Sequence, residues 1–155
     1  MKFWVSNESG KIKLRTKLDT IEISIKDYLF TLVDEIIENF PNSNIVTINK
    51  NIDDFLIDAK KLQAIGIIIN EIISNSMKYA FIGKTNGLIV VSVSLNENHV
   101  CIKINDDGNG IPESIDFDTS TGFGLVLIKM LSIQIGGNIR MERGKGTTFY
   151  LEFKK

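Results

Sequence analysis

The stretch Asn70-Glu71-Ile72-Ile73-Ser74-Asn75-Ser76-Met77-Lys78-Tyr79-Ala80 decides how the rest of this chain is read. It closes a helical pattern that starts near Lys60. At 100° per residue, Glu71, Asn75 and Lys78 fall within about 60° of one another. Ile65, Ile68, Ile69, Ile72, Ile73 and Ser76 occupy the adjoining core arc, and Gln63, Asn70 and Ser74 a third, solvated one. An acid, a carboxamide and an amine therefore line up along the edge of a core. Alone, that pattern also describes an ordinary polar helix flank. The sharper reading is a metal-phosphate edge, in which a carboxamide oxygen ligates Mg²⁺ and the amine meets phosphate oxygens.

Around that helix lie 155 residues, 43% hydrophobic and 24% charged, with 18 Lys+Arg against 19 Asp+Glu and a single Cys. This is the size of one domain, able to bury about two-thirds of the surface of its unfolded form without disulfide or metal staples. A net charge of −1 argues against a nucleic-acid partner. One cysteine closes no internal disulfide, and no Cys/His cluster offers zinc ligands, which suits a reducing cytoplasm. Isoleucine supplies 26 residues, yet no apolar run approaches the roughly 18 residues of a membrane span. The start, Met1 to Glu8, turns polar too soon for a signal peptide.

Upstream, Ile25, Leu29, Leu32, Val33, Ile36, Ile37 and Phe40 recur at helical spacing until Pro41 and Asn42-Ser43-Asn44 break the pattern. Ile45–Ile48 and Phe55–Ile57 read as strands. Residues 1–20 fit a linker remnant or an N-terminal strand, ahead of a domain over 21–155. Downstream, Leu88–Leu95 and Val100–Asn105 alternate as a hairpin, a helix runs from Leu125 to Ile135, and two last strands meet across Arg143-Gly144-Lys145-Gly146. Three helices and about five to seven strands predict an α+β two-layer sandwich with a mixed, mostly antiparallel sheet.

Three loops could carry chemistry. Asp106-Asp107-Gly108-Asn109-Gly110 follows a strand, where an acid can accept a hydrogen bond from an exocyclic amine and glycines admit a ligand to the backbone. A tight turn explains the stretch equally well. Thr121-Gly122-Phe123-Gly124-Leu125 precedes a helix whose N-terminal N–H groups favour anions. Gly144-Lys145-Gly146-Thr147 enters the last strand and needs no more than a hairpin turn. Two familiar phosphate loops are excluded. Gly83-Lys84-Thr85 would need a glycine at Lys78 to complete a P-loop, and no G-x-G-x-x-G follows the first strand. His99 reads as a solvated turn residue and Cys101 as a small sheet residue.

Taken in order, these four stretches resemble the N box and the three glycine boxes of the GHKL ATPase superfamily, which includes histidine kinases, type II topoisomerases, Hsp90 chaperones and mismatch-repair proteins. They cover roughly Lys60 to Phe153. The N-box spelling and the helix ahead of it are most similar to the catalytic ATP-binding domain of sensor histidine kinases with a short lid. The resemblance implies ATP and Mg²⁺ as ligands, with Asn75 holding the metal. It assigns phosphate or ribose contacts to Lys78 and Tyr79, and the adenine amino group to Asp106. Gly108 and Gly110 would shape the adenine pocket, Gly122, Gly124 and Leu125 the lid hinge and phosphate cradle, and Thr147 a second adenine contact. Glu71 stands where hydrolytic members keep a water-activating carboxylate, and Phe117 is the aromatic available for the lid's phenylalanine box.

By the same resemblance the partners are a phosphoacceptor-histidine helical hairpin of a parent kinase and, through it, a response regulator. No histidine-bearing hairpin occurs in this sequence, so the acceptor is expected elsewhere. The alternative is a stand-alone serine kinase resembling the anti-sigma-factor switch proteins.

Overall fold

Side-chain caps set two of the helix starts in the computed structural model, which describes residues 2–7, 10–15 and 20–155. Ser24 accepts a hydrogen bond from the Asp27 N–H at 3.1 Å and donates to Asp54 Oδ1 at 2.7 Å, opening α1 (Ile25–Glu38). Asp58 accepts from the N–H groups of Lys60 and Lys61, opening α2 (Ala59–Asn75). Each cap satisfies N–H groups that have no intrahelical acceptor, and such a cap contributes about 1 kcal/mol. A third helix, α3 (Phe123–Gln134), ends where Gly136 adopts φ 71° and the Gly137 N–H bonds Ser132 O at 2.8 Å.

Among the described residues there are nine strands in two sheets. The larger sheet runs β4 (Val46–Ile52), β6 (Gly87–Asn96), β7 (His99–Asp106), β9 (Gly146–Lys154), β8 (Asn138–Gly144). Only its β4–β6 pair is parallel, with α2 on the crossover between them; β6, β7, β9 and β8 pair antiparallel. The expected mixed sheet and α+β sandwich are therefore found. The smaller sheet joins β1 (Lys2–Asn7), β2 (Gly10–Arg15), β3 (Thr20–Ser24) and β5 (Leu56–Asp58), all antiparallel. Two strands thus lie within the first twenty residues; residues 1, 8, 9 and 16–19 of that stretch lie outside the described residues.

The core follows the two periodicities. Ile65, Ile68, Ile69, Ile72 and Ile73 of α2 are buried against Ile89, Val91 and Val93 of β6, Ile102 and Ile104 of β7, and Leu151 of β9. Each such side chain contributes about 1.5–3 kcal/mol by leaving water. Gly66 lets α1 approach α2, since a Cβ there would lie 2.6 Å from the Tyr28 hydroxyl.

One local expectation needs correction. The helix expected to continue to Ala80 changes at Ser76 into a π turn, Ser76–Ala80. A π turn winds wider than an α turn, so each residue advances by less than 100°. Lys78 therefore leaves the stripe that Glu71 and Asn75 share.

Candidate functional site

β7 closes with Asp106, which stands opposite Thr147 of β9 in the ladder. Both are buried, at 5% and 3% exposure. A buried carboxylate is costly unless hydrogen-bonded, and Asp106 is bonded at both oxygens. Ser76 Oγ donates to Oδ2 at 2.9 Å and the Gly108 N–H to Oδ1 at 3.0 Å. An ionised carboxylate has about four acceptor positions, so each oxygen keeps capacity for a further donor. The backbone around it admits no side chains. A Cβ on Gly146 would lie 1.8 Å from Asp106 O, and one on Gly108 2.4 Å from Ala80 Cβ.

Asp106, Thr147 and Phe149 form the floor of a cavity of about 570 Å³, within the usual range for small-molecule sites. Asn75, Ser76 and Tyr79 line it from the end of α2 and the π turn, and Ile111, Pro112 and Ile115 from the loop after β7. Asn109 couples the two sides, donating from its N–H to Ala80 O at 2.7 Å and from Nδ2 to Ile82 O at 3.0 Å. The apolar stretch Ile111, Pro112 and Ile115, beside one fixed acid, suits a flat heteroaromatic ligand with an amine edge. Leu125 marks the side of the cavity where α3 begins.

That end has the opposite character. α3 starts after Gly122 with no side-chain cap, so its first N–H groups are available to an anion. Gly124 packs directly on the other helix; a Cβ there would lie 2.9 Å from Glu71 Oε2 and 3.8 Å from Asn75 Nδ2. Glu71 and Asn75 thus sit beside the α3 N-terminus, next to the cavity. A neutral carboxamide oxygen and a carboxylate are hard donors of the kind Mg²⁺ takes. Among the described residues, no group of three or more His, Cys, Asp or Glu side chains converges to hold a metal alone. The donor set therefore fits a metal completed by phosphate oxygens and water.

Of the residues singled out from sequence, Asn75, Tyr79, Asp106, Gly110, Leu125 and Thr147 line the cavity. Glu71, Gly108, Gly122 and Gly124 lie around it, and Lys78 is exposed and outside its lining. Phe117 is buried and meets Phe149 edge-on, with centroids 5.7 Å apart. Helical periodicity puts Ser76 on the core arc; its bond to Asp106 is a polar role that the period cannot reveal. The apolar lining from Ile111, Pro112 and Ile115 has no periodic signal in the sequence, because irregular backbone leaves no period to read. His99 lies at the other end of β7 from Asp106, roughly 23 Å away by strand rise.

Residues 60–155 match the family described as histidine kinase-, DNA gyrase B- and HSP90-like ATPases. Sensor histidine kinase GraS of Staphylococcus haemolyticus is 34% identical over 106 residues, covering 57% of this chain and 30% of that protein. Blue-light-activated histidine kinase 2 of Erythrobacter litoralis is 23% identical over 100 residues, covering 64% of this chain and 29% of that protein. The chain thus spans about a third of the length of these relatives. Among solved structures, the histidine kinase domain of an Erythrobacter litoralis blue-light activated kinase superposes with a TM-score of 0.79 at 21% identity, over 85% of this chain and 61% of that one. The mycobacterial sensor histidine kinase MprB gives a TM-score of 0.69 at 14% identity, over 86% and 97%. The chain belongs to the histidine kinase-, DNA gyrase B- and HSP90-like ATPase family and carries the catalytic ATP-binding domain of the sensor histidine kinase type.

Proposed function

We propose that this chain holds Mg-ATP in the cavity between α2, β7 and α3, and donates the γ-phosphoryl group to a histidine on a helical hairpin outside these residues. A response regulator would take the phosphoryl group onward, and the cytoplasm would supply the ATP. The observation that carries the reading is Asp106, a buried carboxylate with acceptor capacity left at the floor of a mostly apolar cavity. In this arrangement Asp106 accepts the adenine amino group, with Thr147 beside it and Gly108 and Gly110 shaping the turn. Asn75 would hold Mg²⁺, which neutralises charge on the transferred phosphoryl group. The α3 N-terminus, after Gly122 and at Gly124, would face the phosphates. Lys78, exposed beyond the lining, and Tyr79 reach the ligand from the mouth. Glu71, which flanks Gly124 together with Asn75, would orient a water or the acceptor.

The acceptor reading is supported by α3, which is apolar on both sides. Ile128 and Ser132 face the core, while Phe123, Met130 and Ile133 on the opposite face are 81%, 62% and 76% exposed. A helix apolar all round is ordinarily buried. Here its outer face starts at the cavity mouth and suits an amphipathic helical hairpin bringing its histidine to the γ-phosphate. His99 is too distant for that task.

Isothermal titration with ATP tests the reading. Affinity is expected to depend on Mg²⁺ and to fall at least tenfold in Asp106→Asn and Asn75→Ala. Wild-type binding that neither substitution alters would sink it. Mixing the chain with a separately expressed acceptor hairpin and Mg-ATP should give acid-labile phosphohistidine. Acid-stable phosphoserine on a small protein partner would instead establish the serine-kinase alternative.

A further inference from the structure

Two cations outside the cavity lining hold its lid. The segment between β7 and α3 contains neither helix nor strand over residues 107–122, so its backbone carbonyls have no ladder to satisfy them. Six are taken by two side chains. Arg143, on the edge strand β8, donates from Nε to Ile111 O at 3.4 Å and from Nη2 to Pro112 O at 3.3 Å and to Ile115 O. Lys129, on α3, donates from Nζ to Phe117 O at 2.6 Å, Asp118 O at 3.2 Å and Ser120 O at 3.5 Å. The same ammonium lies 5.3 Å from the Phe117 ring centre, and Phe117 is seated on Phe149 of the cavity floor.

We infer that Arg143 and Lys129 are positioning residues that fasten the two halves of the lid before any ligand arrives. The halves differ in what they serve. Arg143 grips the half whose Ile111, Pro112 and Ile115 form the cavity wall. Lys129 grips the half that leads into Thr121-Gly122 and the N-terminus of α3. A guanidinium presents five donors in a fixed fork, which lets one side chain span three carbonyls from an edge strand. An ammonium concentrates its three donors at one point and suits a tightly curled segment such as 117–120. A lid fastened in advance spares the ligand the ordering cost of closing it. Rupture of either clamp should therefore appear as lost affinity without loss of the fold.

The division of labour rests on the nucleotide reading above and gives it a second signature. With adenosine and Mg-ATP as probes, Arg143→Ala should weaken both by about tenfold, the scale of one lost charged hydrogen bond. Arg143→Lys should recover only part of the loss. Lys129→Met should weaken Mg-ATP about tenfold while leaving adenosine within about twofold, and Lys129→Arg should restore Mg-ATP binding. Hydrogen exchange on the ligand-free chain tests the clamps independently. Amides of residues 111 and 113–116 should exchange faster in Arg143→Ala and those of 117–121 faster in Lys129→Met, with β6, β7 and β9 unchanged. Lid exchange unaltered in both variants overturns the inference, whatever the titrations show. Faster lid exchange in a chain that binds neither probe sustains the clamps and removes the nucleotide reading instead.

Discussion

Ser76 and Asp106, thirty residues apart, meet in a buried 2.9 Å hydrogen bond that joins the π turn after α2 to the end of β7. The bond does two things at once. It satisfies one oxygen of a carboxylate withdrawn from water, and it fixes the direction of the other toward the Gly108 N–H and the cavity. Ser76→Ala should therefore cost about 1–3 kcal/mol, the range for leaving a buried acceptor short of a partner. Urea unfolding of the two proteins measures it. The same substitution should weaken ATP, and an unshifted unfolding midpoint would refute the structural role.

Two glycines with positive φ separate conformational strain from steric exclusion. Gly136 has φ 71° with nothing within 4 Å of a built Cβ, while Gly146 has φ 85° and a Cβ position 1.8 Å from Asp106 O. Gly136→Ala should cost only the left-handed penalty of about 1–2 kcal/mol. Gly146→Ala must also move the backbone beneath Asp106, so its loss should exceed that of Gly136→Ala by at least 2 kcal/mol, beyond the ordinary range for point changes. Equal losses by thermal or chemical denaturation would contradict the close approach seen at the cavity floor.

Buried and exposed isoleucines should behave as different residues. Ile69 of α2 is 0% exposed and Ile133 of α3 is 76% exposed. Ile69→Ala should destabilise by about 2–5 kcal/mol through lost burial and the cavity left behind. Ile133→Ala should stay within about 0.5 kcal/mol of wild type. If the outer face of α3 receives the acceptor hairpin, Ile133→Ala should nevertheless slow phosphoryl transfer to it while sparing ATP affinity. Single-turnover transfer assays distinguish the two effects.

Cys101 supplies a pH prediction. Partial burial, and then the Glu152 carboxylate that accepts from its Sγ at 3.9 Å, push the thiol above its ordinary pKa. The thiolate is the reactive form, so alkylation by iodoacetamide near pH 8 should be slower than for a free cysteine. Its rise with pH should be displaced toward alkali, and Glu152→Gln should return part of the displacement. Because the folded state holds this proton more tightly than the unfolded one, the associated stability is present below the thiol's ordinary pKa and fades as pH rises through the raised one. An alkylation profile matching free cysteine would refute the environment described for Cys101.

Much of the architecture was legible because its causes are local. The 3.6-residue repeat marks the buried faces of α1 and α2, and strict alternation marks β6, β7 and β9. Order along the chain placed the acid loop, the uncapped helix start and the last hairpin around one helix, and the cavity gathers residues from all four. Legibility fell where a residue's partner is distant. Ser76 sits on the buried arc like its isoleucine neighbours, and only Asp106 makes its hydroxyl a functional group. Lys78 fits an ideal α-helical stripe, but it lies within the wider winding of Ser76–Ala80 and stands exposed outside the cavity lining.

By itself the sequence determined the layer composition, the helix and strand periods and the order of the ATP-site stretches, since short-range spacing and sterics encode them. Only the tertiary structure decided which polar groups meet. It set Asp106 against Ser76, Glu71 and Asn75 against Gly124, and the lid carbonyls against Arg143 and Lys129. Those pairings depend on sheet register and helix packing, where displacement by a single residue would part the groups, and no local pattern records it.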